Sequence, residues 1–326
     1  MNMGNSENKD FDSTWEDEDD NEDTTESSPQ WSWSAQRNMH AAEDMQKYRH
    51  KYRMIQLDDM KDHDLDNLQD EVSPNLWFYQ NKIPFDADGK KKKKTLSENI
   101  DISNNIHMMR KFSFFGVHPR LSSLAMCIEN FHMYWFGDYN KLEHDHSYIQ
   151  WLFPIHEKGM NTCNALSDKE IKLFRRDEEV KKRLLTSYKL MLDFYGIELL
   201  SEETGEVKRA VNWKERFANL NGNPHNNLRI TRILKCLGLL GFHHYQAPLV
   251  HFFLVETLVK GTLARVKQSI LDYFMFAVVD KSKRRELIKF ALCYFEPKEK
   301  FVWCPRRIRI KFLNELERAQ KETELP

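Results

Sequence analysis

Apolar side chains recur at helical spacing, with few interruptions, from Asp138 to Pro297, and this regularity limits the possible folds more than any other feature of the chain. Asp138 is placed to cap a helix carrying Leu142, Ile149, Leu152 and Phe153, ended by Pro154. Ser167-Asp168-Lys169-Glu170 has the form of a capping box, in which serine and glutamate satisfy each other's free backbone N–H groups. Val180, Leu184, Tyr188, Met191 and Tyr195 follow at steps of 4, 4, 3 and 4, which is one helical face, and Gly196 suits a left-handed stop. A short helix carries Trp213, Phe217 and Leu220. Pro224 opens another, with Ile230, Ile233, Leu234 and Leu237 inward and Gly241 at its end. Pro248 opens a helix that is apolar nearly all round and belongs at the centre. Leu263, Val266, Ile270, Phe274 and Ala277 give the next stripe, and Leu287, Phe290, Ala291 and Tyr294 the last. The expectation is an all-α fold, a compact multi-helix bundle of about seven helices over roughly 138–296. Only 11 glycines and 10 prolines in 326 residues argue against a turn-rich β fold, and 40% hydrophobic residues suffice for a core.

The formal net charge of −1 hides a split. Residues 1–35 hold eleven acids against one base, a net of −10, and the rest of the chain is at +9. Glu16–Asp23 has seven acids in eight positions, so 1–38 reads as a disordered acidic tail, with Trp15, Trp31 and Trp33 either incidental or a docking motif. Residues 39–89 form an N-terminal part whose aromatic stretch Asn75–Phe85 is expected to pack onto the main domain. Residues 90–127, which begin with Lys90–Lys94, fit neither neighbour and read as an atypical, disordered insertion. The helical domain spans 128–304, and 305–326 is a basic extension. No run approaches the roughly 18 apolar residues of a membrane span, and Met1–Asp10 lacks the apolar core of a secretory signal. Five widely spaced cysteines with no CxxC pair read as reduced thiols inside a cell.

The chemistry-bearing patterns are sparse. There is no Gly-rich phosphate loop, HExxH or GxSxG. The histidines of His144/His146 and His243/His244/His251 fall in two distant clusters, so neither metal nor cofactor is expected. Cys163 with His156 is the nearest nucleophile pair in sequence, and no catalytic residue is assigned. The runs Lys281–Arg285 and Arg306–Lys311 suit import signals or phosphate contacts, but no base-stacking motif accompanies them and no nucleic acid is expected. Arg229 and Arg232 share a helix face opposite the apolar one, where guanidinium forks could take a carboxylate.

Several long stretches resemble the opioid growth factor receptor family: His146–Pro154, Tyr188–Ile197, Asn212–Asn221, His225–Lys235 and Leu271–Val278, with Asp12–Trp15 and Tyr48–His50 before them. They occur in order and cover 39–89 and 128–304. The resemblance implies a non-enzymatic, all-α protein without the seven-helix membrane architecture of classical opioid receptors. It implies binding of the pentapeptide Met-enkephalin, restraint of cell proliferation, and residence at the nucleus and perinuclear membrane, with cytoplasm. Nuclear import machinery and peripheral membrane association follow as partners. Two departures stand out. Residues 90–127 interrupt the family pattern, which suggests an unusual exon or a retained non-coding segment, and the long C-terminal tail of some relatives has no counterpart here.

An enkephalin-type ligand presents an amine, two aromatic rings, a methionine and a carboxylate. The expected peptide site uses Tyr148, Trp151, Trp213 and Phe217 as rings, Arg229 and Arg232 for the carboxylate, and Asp193 or Glu215 for the amine. The alternative is a nuclear-rim scaffold that docks another protein on an exposed apolar patch. An enzyme using an unrecognised His or Cys site is the third reading.

Overall fold

The computed structural model describes residues 13–18, 37–59, 74–82, 127–157 and 165–323. Helix α1 (Met39–Asp59) turns Met45, Tyr48 and Ile55 into the core. Helix α2 (Pro74–Tyr79) buries Leu76, Phe78 and Tyr79, so the aromatic segment packs onto the domain as expected. Helix α3 (Ile128–Trp135) follows, then α4 (Tyr139–His144), whose first turn Asp138 caps through Lys141 N at 3.1 Å. The single helix expected from Asp138 to Phe153 is broken in two. Asp145 Oδ1 accepts from the Ser147 amide at 2.8 Å and from its hydroxyl, which closes a turn, and α5 (Ile149–Leu152) starts afresh.

In α6 (Asp168–Arg176) Ser167 Oγ accepts from Glu170 N at 3.1 Å, as the capping box predicts. The Glu170 carboxylate also takes Leu76 N at 3.0 Å and Asn75 Nδ2 at 3.2 Å, and so holds α2 in place. The five-residue stripe of α7 (Glu178–Phe194 with Tyr195 beyond) is buried throughout. A short antiparallel pair follows that the helical reading missed, β1 (Ile197–Leu199) with β2 (Val207–Arg209), in register Ile197↔Arg209. Gly205 closes this hairpin at φ +76°, where a Cβ would lie 2.6 Å from the Tyr245 ring. Helices α8 (Trp213–Gly222) and α9 (His225–Leu239) match the expected apolar faces.

Helix α10 (Gln246–Leu254) runs on as a π turn, Val255–Val259. The rod α11 (Ala264–Ala277) crosses it at 116°. Among the described residues no single helix is long and apolar enough to cross a membrane, and this bent pair forms the interior of the fold. In α12 (Lys281–Tyr294) the buried face is Leu287, Ile288, Ala291 and Leu292. The expected stripe is therefore rotated: Phe290 lies on the flank, and Tyr294 is 48% exposed. The basic extension forms helix α13 (Arg306–Thr323), anchored by Ile308 and Phe312. Within the stretch read as a disordered tail, Ser13–Glu18 forms a 3-10 turn with Ser13, Thr14 and Trp15 buried. Almost all of the 90–127 segment, its lysine run included, lies outside the described residues, as does Cys163.

The helices converge on Gln246, which is fully buried. Its Nε2 donates to Leu234 O (2.8 Å) and Ala277 O (2.9 Å) and lies 3.2 Å from Tyr48 Oη, while its Oε1 accepts from Val279 N at 3.0 Å. Gly238 faces this node, and a Cβ there would stand 2.1 Å from Tyr48 Oη and 2.7 Å from Gln246 Nε2. Gly238→Ala should therefore lower stability by about 1–3 kcal/mol in urea unfolding. Gly222→Ala, with nothing within 4 Å of the new methyl, should not; equal midpoints for the two would refute this account of the node.

His132 on α3 sits 2.8 Å from Ser187 Oγ, and burial, helped by the Arg183 charge, pushes its imidazole down to about 4. The unfolded chain takes up this proton near pH 6.5, the folded chain only near pH 4. Stability is therefore full above the higher value and drains as pH falls towards the lower one, by up to about 3 kcal/mol. His132→Gln should flatten that part of a stability-versus-pH curve, and an unchanged slope would show that other groups carry it.

Candidate functional site

An open groove lies beside α10. Its helix is apolar nearly all round, as read from the sequence, but only half of it is covered. Leu249, Val250, Phe253 and Leu254 face the core. Ala247, Pro248, His251, Phe252 and Val255 lie on the other side and form the floor of an open groove of about 850 Å³. Leu200, 57% exposed, and Val207 make one wall from the β hairpin. Leu287 and Phe290 make the other from α12, with His251 and Phe290 edge to face at 4.7 Å. Tyr294 packs against Phe290, tilted, with ring centres 4.7 Å apart, and continues that wall outward.

The rim carries both signs of charge: Glu206, Asp280 and Glu286 against Lys260 and Lys283. Lys283 pairs with Glu286 at 3.0 Å, and both remain more than half exposed. At the end of the floor Glu256 is fully buried and takes Arg209 as a two-point fork, at 2.9 and 2.5 Å, together with Lys260 at 2.9 Å and Thr262 at 2.7 Å. Burial alone would raise this carboxyl, but these donors outweigh it and hold it below the usual carboxylate range. Burial lowers His251 and His244, so both rings are neutral at pH 7 and the groove presents an apolar floor. Among the described residues no group of three His, Cys, Asp or Glu has the geometry to hold a metal ion.

None of the eight sequence-predicted residues lines this groove. The spacing puts Arg229 on the helix face opposite the apolar one, as a fork for a carboxylate, yet it is 4% exposed. Its Nη1 donates to Leu142 O (2.7 Å), Tyr148 Oη and Asn226 Oδ1; its Nη2 to Glu143 O, Asp145 O (3.0 Å) and His146 Nδ1 (2.7 Å). It closes the carbonyl end of α4 from inside the protein. Arg232, half-buried, donates from Nε to Phe153 O at 2.7 Å and does the same for α5. The Tyr148 ring is buried against Phe131 and Trp135, and Trp151 packs on Phe78 at 5.5 Å. Asp193 accepts from Tyr139 Oη at 2.7 Å. Trp213 lies under the Arg209 guanidinium at 3.8 Å, and Phe217 is buried edge-on to it at 5.4 Å. Glu215 is exposed, 3.7 Å from Arg216. The structure thus brings Trp213 and Phe217 together, and Tyr148 with Arg229, but it builds no common cleft from the set. The groove residues left two traces in the sequence: the Ile197-Glu198-Leu199 and Val207-Lys208-Arg209 alternation around Gly205, and the His243-His244…His251 cluster.

Arg229→Ala should therefore destabilise the fold by roughly 3 kcal/mol or more, because the buried carbonyls of α4 lose their donors. Arg229→Lys should recover only a minor part, since one ammonium cannot span both sides of that end. Urea melts that leave both variants at wild-type stability would restore Arg229 as a candidate ligand contact.

The family model described as "Opioid growth factor receptor (OGFr) conserved region" matches residues 103–309. The rat opioid growth factor receptor-like protein 1 is 41% identical over 291 residues, which is 89% of this chain and 52% of that protein. The mouse opioid growth factor receptor is 44% identical over 271 residues, 83% of this chain and 36% of that protein. The human opioid growth factor receptor is 43% identical over the same length, 83% of this chain and 33% of that protein. The chain thus spans between about a third and a half of the curated relatives it matches. No solved structure matches.

Proposed function

Since this chain belongs to the opioid growth factor receptor family, we propose that it is a non-enzymatic peptide receptor whose ligand seat is the groove beside α10. The observation that carries this reading is the half-covered central helix: an apolar floor left open between two walls, with a mixed-charge rim. A volume near 850 Å³ lies within the roughly 300–1,000 Å³ range of small-ligand sites, which is room for an enkephalin-sized pentapeptide. Phe252, Phe290 and Leu200 suit the ligand's rings and methionine. The acids Glu206 and Asp280 suit its amine, and Lys260 and Lys283 its carboxylate. Growth restraint and action at the nucleus and perinuclear membrane belong to the same proposal, through the family name and the basic runs on α12 and α13.

A second reading is favoured by Tyr294, 48% exposed beside Phe290, which adds apolar surface outside the lining of the groove itself. There the groove takes a segment of a partner protein, as a scaffold would.

Calorimetry with Met-enkephalin on the full chain separates the two. The receptor reading expects saturable heat that weakens at least tenfold in the Leu200→Lys plus Phe290→Ala double variant and is unchanged in Glu215→Gln. No saturable heat from the wild-type chain, or identical binding by the double variant, defeats it.

A further inference from the structure

The turn Ser13–Glu18 is held by side chains of distant elements. Thr14 Oγ1 accepts from Arg284 Nε at 2.8 Å, and Thr14 O from Arg285 Nε at 2.8 Å. The Ser13 amide and hydroxyl lie 3.1 and 3.2 Å from Gln46 Oε1 on α1, the same oxygen that takes Arg49 Nη2 at 2.6 Å. Trp15 is wholly buried, edge-on to Phe312 of α13 at 5.9 Å and beneath the Arg285 guanidinium at 5.5 Å. Three consecutive side chains therefore enter three receiving sites built by α1, α12 and α13. A 3-10 turn of six residues does not hold its own shape. The receiving surface imposes it, as a recognition groove shapes a bound peptide.

Two further observations mark this turn as an occupant and not a permanent part of the core. The Trp15 indole N–H is buried with no acceptor among the described residues, which weakens the docking. The turn is joined to Arg37, ahead of α1, through 18 residues of sequence, 19–36, so a segment of its own sequence offered in trans competes against an intramolecular one. The segment continues as Glu16-Asp17-Glu18-Asp19-Asp20, and the receiving helices carry Lys281–Arg285 and Arg306–Lys311.

We propose that the face formed by α1, α12 and α13 is a binding site for short acidic segments with a Thr-Trp core, and that residues 13–18 are its resident occupant, displaceable by a segment of the same chemistry presented in trans. The hydroxyl of the threonine reads Arg284, and the indole fills the pocket of Phe312 and Arg285. This site is separate from the groove beside α10 and does not depend on it.

The test uses a fluorescein-labelled synthetic peptide of residues 10–20 and the full-length chain carrying Trp15→Ala, which leaves the indole pocket empty. Fluorescence anisotropy should show saturable binding to that chain, at least tenfold weaker apparent binding to the wild type, whose own turn competes, and none for the peptide with its tryptophan replaced by alanine. Arg285→Glu in the Trp15→Ala background should weaken binding at least tenfold. If Trp15→Ala loses the helical circular dichroism of the wild type, the Thr14→Ala chain is read in its place, with binding again expected above wild type. No saturable binding to the variant that keeps its fold, or equal binding to variant and wild type, overturns the proposal.

Discussion

The fold rests on arginines that close the carbonyl ends of other helices. A chain of many short helices has many ends, and each end leaves up to four carbonyls without an intrahelical donor. In a buried setting those groups must be satisfied by something other than water. Here Arg229 closes α4, Arg232 α5, Arg216 the end of α7 through Phe194 O, Arg175 the end of α9 through Leu239 O, and Arg49 the end of α11 through Phe276 O. Arg183 does the same for α2 through Tyr79 O, and Arg284 for the exit of α11 through Val278 O. The guanidinium suits the task because it carries five donors in a plane, and a positive charge is favoured at the negative end of a helix. Helices that are individually too short to persist are thus tied end to side into one body.

The same constraint explains what was legible in the sequence. Apolar spacing located the main helices between Asp138 and Pro297, because burial of a stripe is a periodic signal; the stripes at Val180–Tyr195 and Ile230–Leu237 are buried as read, whereas α1, α3 and α13, outside that stretch, are not legible as helices. Arg229 and Arg232 sit at a spacing that also describes a solvated face, and nothing local distinguishes an arginine reaching water from one reaching a neighbour's carbonyls. The difference lies in the sequence-distant helices α4 and α5. The break at Asp145 was hidden for a related reason, since an Asx turn competes with the helix through one side-chain oxygen and leaves the apolar period nearly intact. The hairpin strands are three residues each, too short for alternation to stand out. Trp15 stands out in the sequence as incidental or as a docking motif, but its burial in this chain is not legible there, because the acids around it dominate the composition and the helices that cover it lie some 270 residues away.

The groove follows from how α10 is pinned. Gln246 fixes the start of that helix by bonds to α9, α11 and the entry to α12. Those bonds determine which half of an otherwise uniformly apolar helix faces inward. α12 then packs with Ile288 and Leu292 towards the core, which leaves Phe290 and Tyr294 on its flank. The hairpin stands on the opposite side. Its position is secured by Arg209, which is locked to Glu256 and stacked on Trp213. Two of the ring residues that the sequence offers as ligand contacts, Trp213 and Phe217, therefore stand behind the hairpin wall and the α10 floor, with Phe217 6.3 Å from the Phe252 ring.

Charge placement bears on where a peptide's termini could be held. A carboxylate brought to Arg229 would have to displace carbonyls of α4 and the His146 ring from a guanidinium 4% exposed. Removing those partners leaves several buried acceptors without donors, and the loss exceeds what one charged hydrogen-bonded pair returns. Lys260 and Lys283, about half exposed at the mouth of the groove, face no such obstacle. Their present partners, Glu256 and Glu286, differ in kind. Glu256 is fully buried and has Arg209 as a second counter-charge, so Lys260 can turn to a ligand without stranding a carboxylate. Glu286 is 61% exposed and water replaces Lys283 readily. For a carboxylate at the end of a peptide, the physical chemistry of recognition therefore favours the rim of the groove over the interior arginines.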